Sequence, residues 1–135
     1  MRRFLLIDDD DIIGIVHPAI IYQVFPDSEV TLIKSSAEGL DYIKKLEATN
    51  SPAPEVIFLD INLPKMNGFE LLDQLSEKDL AFLKATQIFM LSSSIDRRDM
   101  EKVEANSIIS GFIGKPLSMD FIRTKFSDTF TTENV

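Results

Sequence analysis

The chain is predicted to be an α/β domain: a doubly wound, five-stranded parallel sheet of order 2-1-3-4-5 with five helices on its faces. Three observations predict it. Strand-like and helix-like patterns alternate five times along the 135 residues, the signature of parallel strands joined by right-handed crossovers. Phe4-Leu5-Leu6-Ile7 and Val56-Ile57-Phe58-Leu59 are apolar without alternation, as strands buried on both faces are. Every strand candidate but the second stops at a polar residue, at the edge where open α/β sheets place their ligands.

The elements follow in order. The first strand, Phe4 to Ile7, ends in four consecutive acids, Asp8 to Asp11. Ile12 to Phe25 is apolar at helical spacing, but Pro18 removes a ladder bond, so a kink or a helix beginning near that residue is expected. Pro26-Asp27-Ser28 is a turn, and Glu29 to Lys34 a second strand. Ser35 and Glu38 have capping-box spacing before a helix that carries Leu40, Ile43 and Leu46. Thr49 to Pro54 is a loop. The third strand runs to Asp60; Pro64 then bars further extension, and Gly68 is expected to supply a freely turning backbone. A helix from Gly68 to Leu75 follows, with a possible restart at Ser76 running to Leu83. Ile88 to Leu91 is the fourth strand, ending at Ser92-Ser93-Ser94. Asp96 to Ala105 reads as a helix lying on the surface with only Met100 and Val103 as apolar anchors. Gly111 to Gly114 is a short fifth strand leading to Lys115-Pro116. The last helix starts near Ser118 and carries Ile122, Phe126 and Phe130, and 131–135 is a polar tail.

Composition narrows the function classes. One domain of this length buries roughly two-thirds of its unfolded surface. The formal net charge of −8 argues against sequence-independent binding to nucleic acid, which needs basic residues, and against anionic membrane surfaces. There is no cysteine, hence no disulfide and no thiolate ligand or nucleophile. Neither a signal peptide nor a membrane-spanning segment is read, which makes a cytoplasmic protein the expectation.

The chemistry converges at the strand ends. In the 2-1-3-4-5 order the first and third strands are neighbours, so Asp8, Asp9 and Asp60 crowd one pocket. Two carboxylates ~4 Å apart repel by roughly 4 kcal/mol at an effective dielectric near 20, so such a group invites a divalent cation. Oxygen-only ligands favour a hard ion, and Mg²⁺ suits an open site. Lys115 and the Ser92 hydroxyl flank the same pocket with a cation and a donor, parts that suit a phosphoryl group on a carboxylate.

With these motifs the chain resembles the receiver domains of two-component response regulators, from Arg3 to about Phe130, with residues 1–130 as the domain. The resemblance rests on Asp8-Asp9, on Asp60 within Leu-Asp-Ile-Asn-Leu-Pro-Lys-Met-Asn-Gly, on Ser92, and on Lys115-Pro116. It implies the flavodoxin-like fold and a set of roles. Asp60 would accept a phosphoryl group from a sensor histidine kinase or a histidine phosphotransfer protein. Asp8, Asp9, Asp60 and the backbone carbonyl of Asn62 would hold Mg²⁺. Lys115 would pair with the phosphoryl group, and Ser92 would follow it inward while Phe112 turns in as the aromatic switch. Asn62 and Ser94 match positions that tune dephosphorylation, and the Lys115-Pro116 bond is commonly cis. Partners would read the helix at 96–105, the fifth strand and the last helix. The domain is expected to act alone, since the chain ends soon after that helix.

Other readings stand beside this one. Asp10 or Asp11 is read as a helix cap, and His17, the sole histidine, as a packed residue in an apolar helix. Asp8-Asp9-Asp10 also fits loosely the Asp-x-Asp pattern of haloacid-dehalogenase-type phosphatases, with Asp8 as nucleophile, although Asp60 then has no role. A phosphorylation-independent adaptor on the same fold is the third reading.

Overall fold

The computed structural model describes residues 2–126. Its elements are β1 (Arg3–Ile7), α1 (Ile13–Val24), β2 (Glu29–Ile33), α2 (Ser36–Ala48), β3 (Val56–Asp60), α3 (Gly68–Asp73), α4 (Glu77–Phe82), β4 (Gln87–Ser92), α5 (Arg97–Ala105), β5 (Gly111–Gly114) and α6 (Met119–Phe126). All five strands are parallel in the order β2-β1-β3-β4-β5, as the alternation predicts. The expected Phe130 contact and the tail at 131–135 lie outside the described residues.

The apolar strands bury side chains on both faces. One face sets Leu5, Ile7, Ile57, Leu59, Ile88 and Met90 against Ile43 of α2, Leu71 and Leu72 of α3 and Val103 of α5. The other sets Phe4, Leu6, Phe58, Phe89 and Leu91 against Ile21 of α1 and Ile122 and Phe126 of α6. Phe126 meets the rings of Phe4, Phe58 and Phe89 edge-on at centroid distances of 5.8, 6.3 and 6.0 Å. Each such pair contributes about 0.5–1.5 kcal/mol beyond its buried area. This packing seals the sheet beneath its polar carboxyl edge.

One helix departs from the sequence reading. α1 does not begin near Pro18 but runs through it, so the Gly14 carbonyl receives no bond from that position. Its start is set by Asp10, whose Oδ1 accepts from Ile12 N at 2.8 Å and Ile13 N at 3.1 Å. The β3–β4 crossover holds two helices, making six among the described residues. Ser76 opens α4 with a reciprocal capping box to Asp79, realising the restart that the sequence suggested. Asp79 is buried because it also pairs with Lys44 of α2. At α2, Ser35 accepts from Glu38 N as its spacing predicts.

Gly68 is required for a different reason from the one expected. Among the described residues no glycine has positive φ, and the left-handed residue of this loop is Lys65, at φ 69°. A Cβ on Gly68 would lie 2.6 Å from the Asp60 carbonyl oxygen and 2.8 Å from Met90 Cε. The glycine therefore lets the start of α3 press against the backbone of Asp60, and Gly68 N donates to Ile61 O at 2.9 Å. Gly68→Ala should destabilise by about 1–3 kcal/mol through this overpacking. Gly114→Ala, whose Cβ would come no nearer than 3.7 Å to Ile95, should stay within about 0.5 kcal/mol of wild type. Denaturant midpoints of the two variants check the contrast.

Candidate functional site: an acidic pocket at the carboxyl edge

β1 and β3 are paired from Phe4↔Val56 to Ile7↔Leu59, so the residues that follow, Asp8 and Asp60, emerge side by side. Both are 3% exposed. Carboxylate oxygens of Asp8, Asp9 and Asp60 all lie within 4.8 Å of one another, with Asp9 exposed. Lys115, at the end of β5, reaches between them: its Nζ stands 2.7 Å from Asp8 Oδ2 and 3.3 Å from Asp60 Oδ2. Asp60 Oδ1 accepts from Asn62 N at 3.0 Å. The pocket opens as a cleft of about 470 Å³ lined in part by Asp9, Asp60, Asn62, Lys115 and Pro116, with Ile13 and Val16 of α1 opposite.

Electrostatics follow from this crowding. Burial raises the Asp60 pKa and the Asp8 charge adds to it, against the Asn62 N–H and Lys115. Burial alone would lower the Lys115 pKa, but its contacts with Asp8 and Asp60 outweigh that and raise it. The acids exceed the single lysine in charge. Asp8 Oδ2 is fully buried, and beyond its 2.7 Å ion contact with Lys115 Nζ it receives no hydrogen bond. Three carboxylates whose oxygens lie within 4.8 Å of one another, with one lysine to offset them, fit a divalent cation.

The structure refines the remaining candidates. Ser92 is buried, and its hydroxyl donates to the carbonyl of Ser94 and accepts from Ser94 N at 3.2 Å. The hydroxyl thus closes a local turn beside the pocket, with its proton directed to Ser94. Asn62 Nδ2 lies 3.5 Å from Ser92 Oγ. Phe112 is half-buried and lines a cleft of about 370 Å³ with Met100, Val103 and Ile109. The Lys115-Pro116 peptide is cis. Asp11 pairs with Lys34 at 2.7 Å across the surface, and Asp10 spends its carboxylate on the start of α1.

Sequence reasoning missed the engagement of His17. The ring is 1% exposed, and its Nε2 accepts from Leu117 N at 3.0 Å. Burial pushes the imidazole pKa down to about 4, with Asp8 and Asp10 opposing and Lys115 reinforcing the fall. No local pattern announces the contact, because its partner is a backbone N–H 100 residues away.

A doubly wound sheet of this order, with an acidic cluster and a lysine at its carboxyl edge, defines a receiver-type domain. Residues 4–127 match the family model for the response regulator receiver domain, and the chain belongs to that family. It is 26% identical over 120 residues to the chemotaxis protein CheY of Listeria monocytogenes, covering 89% of this chain and 91% of that one. Among solved structures, a two-component response regulator from Cytophaga hutchinsonii superposes with TM-score 0.86 at 29% identity, covering 97% of this chain and 98% of that one. The Mn²⁺-bound response regulator Rcp1 shares the fold, with TM-score 0.70 at 22% identity over 100% of this chain and 97% of that one. In this family context the three acids, with carboxylate oxygens within 4.8 Å of one another, form a triad typical of a receiver metal site. No helix among the described residues is long and apolar enough to cross a membrane.

The Asp60 shift has a signed consequence. A folded-state pKa above the unfolded 3.8 gives a contribution that is complete below 3.8 and lost as pH rises through the folded value. Near neutral pH the ionised Asp60 is therefore a net cost to the fold. Asp60→Asn should melt at higher temperature than wild type near pH 7, and the advantage should vanish towards pH ~4. Thermal melts across that range check both the sign and the window.

Proposed function

We propose that this chain is a phosphoacceptor of two-component signalling, taking a phosphoryl group on Asp60 from a sensor histidine kinase or a histidine phosphotransfer protein. The observation that carries the reading is the placement of Lys115 Nζ within 2.7 and 3.3 Å of Asp8 and Asp60 in a pocket whose three carboxylates lie within 4.8 Å of one another. A site holding a lone catalytic carboxylate for proton transfer has no use for that convergence.

Asp60 is the acceptor because it ends the central strand β3 and lines the open cleft. Its carboxylate forms the new O–P bond while the P–N bond of the donor phosphohistidine breaks and the leaving nitrogen keeps the electron pair. Mg²⁺, held by Asp8, Asp9, Asp60 and the backbone carbonyl of Asn62, would neutralise phosphoryl oxygens as charge shifts between donor and acceptor. Lys115 supplies the second positive charge, and its two carboxylate contacts keep it protonated and aimed. Ser92 reaches the phosphoryl group by leaving the Ser94 carbonyl, exchanging one hydrogen bond for a charge-assisted one. Asn62 and Ser94 tune hydrolysis, Asn62 from the mouth of the pocket and Ser94 through the turn it shares with Ser92.

The phosphorylated state is read by partners on the face formed by α5, β5 and α6. α5 is held to the core chiefly by Val103, with Met100 43% exposed, and Phe112 lies between α5 and the sheet. Such a weakly anchored element is one that a few hydrogen bonds can bias between two arrangements.

Incubation with acetyl phosphate tests this reading by intact mass. One phosphoryl group per chain should appear with Mg²⁺, disappear with a chelator, and be hydroxylamine-labile. Asp60→Asn should abolish the label, and Lys115→Ala should slow labelling on the order of 100-fold. Persistent labelling of folded Asp60→Asn would remove Asp60 as acceptor. Failure of the wild-type protein to label, with both acetyl phosphate and a phosphorylated kinase, favours the phosphorylation-independent adaptor.

A further inference from the structure

The chain that carries Lys115 is pinned on both sides. Before the side chain, Lys115 N donates to Ser92 O at 2.8 Å, which ties it to the end of β4. After it, the next available amide is that of Leu117, since Pro116 has no N–H. This amide does not join α6, whose first residue is Met119. Its partner is His17 Nε2, at 3.0 Å, in a wholly buried contact from the middle of α1. His17 and Leu117 are 1% and 2% exposed, so water cannot substitute if the ring is lost.

We propose that His17 is a positioning residue for Lys115: by accepting the Leu117 N–H it fixes the exit of the Lys115-Pro116 segment and so holds the ammonium between Asp8 and Asp60. This proposal rests on the reading of Lys115 as a phosphoryl partner. Three features single out an acceptor over a merely apolar filler. His17 and Ile21, one helical turn apart, are the buried residues of α1, and Ile21 packs in the apolar cluster with Ile122 and Phe126 of α6. A buried polar ring there is justified only by a partner, and the Leu117 amide is that partner. The neutral ring is the form that accepts, and burial beside Lys115 keeps it neutral. The lever arm is short, since the bonded amide lies two residues from Lys115, and positional errors of about 1 Å at a reacting group cost up to 10²-fold in rate.

His17→Leu and His17→Gln separate packing from acceptance. Leucine fills much of the space without an acceptor, whereas the glutamine carbonyl can take the Leu117 N–H from nearly the Nε2 position. The ¹³Cε and ¹⁵Nζ resonances of Lys115 report its carboxylate contacts whether or not the chain takes a phosphoryl group. They should move in His17→Leu and return towards wild type in His17→Gln. The saturating rate of acetyl phosphate labelling should fall ~10-fold in His17→Leu and recover to within ~3-fold in His17→Gln, with Mg²⁺ affinity unchanged in both. Unmoved Lys115 resonances in folded His17→Leu overturn the proposal, as does a rate loss that glutamine does not rescue. If His17→Leu does not fold, the ¹⁵N imidazole spectrum of wild type decides: an unprotonated Nε2 coupled to the Leu117 amide supports the proposal, and a protonated Nε2 overturns it. Absence of label on wild type with both acetyl phosphate and a phosphorylated kinase contradicts the functional reading and leaves the resonance test of positioning in force.

Discussion

Everything at the carboxyl edge depends on one arrangement, a lysine ammonium seated between two buried carboxylates. Asp8 and Asp60 are brought together by the pairing of β1 with β3, and neither has enough water to disperse its charge. Lys115 arrives from β5, two strands away from β3, and its contacts are what allow the acids to stay close. The compensation is incomplete: Asp60 remains harder to ionise than a free aspartate. A pocket left short of positive charge suits the divalent cation and the phosphoryl group proposed for it.

That arrangement in turn rests on the packing below it. The phenylalanine cluster on one face and the Leu/Ile/Met layer on the other leave the strand ends little freedom to shift. Gly68 brings α3 against the Asp60 backbone, and Asp10 starts α1 directly after the acidic pair. His17 then carries the position of α1 across to the lysine segment. Elements that look like scaffold in isolation each constrain one wall of the pocket.

Much of this was legible in the sequence because it depends on local signals. Unbroken apolar runs ending at Asp8, Asp60, Ser92 and Lys115 locate the strands and their functional edge, and all five strand positions follow within a residue or two. What was not legible depends on long-range contact. The path of α1 through Pro18 is decided by tertiary burial of Ile21 and His17, which overrides the local cost of proline. The role of Gly68 is a clearance against Asp60 and Met90 that no turn pattern reveals. Ser92 reads as a pocket donor, yet in this structure its hydroxyl belongs to the Ser94 turn, so the proposed chemistry includes breaking that bond. His17 reads as core, and it is core, but with a polar partner that sequence proximity cannot supply.

The most direct test is the structure of the chain bound to Mg²⁺ and beryllium trifluoride, a mimic of a carboxylate-bound phosphoryl group. The account predicts the adduct on Asp60, with Lys115 Nζ and a Ser92 hydroxyl released from Ser94 contacting its fluorines, and the metal among Asp8, Asp9 and Asp60. An adduct on Asp8, or one on Asp60 that leaves Lys115 turned away, would contradict it.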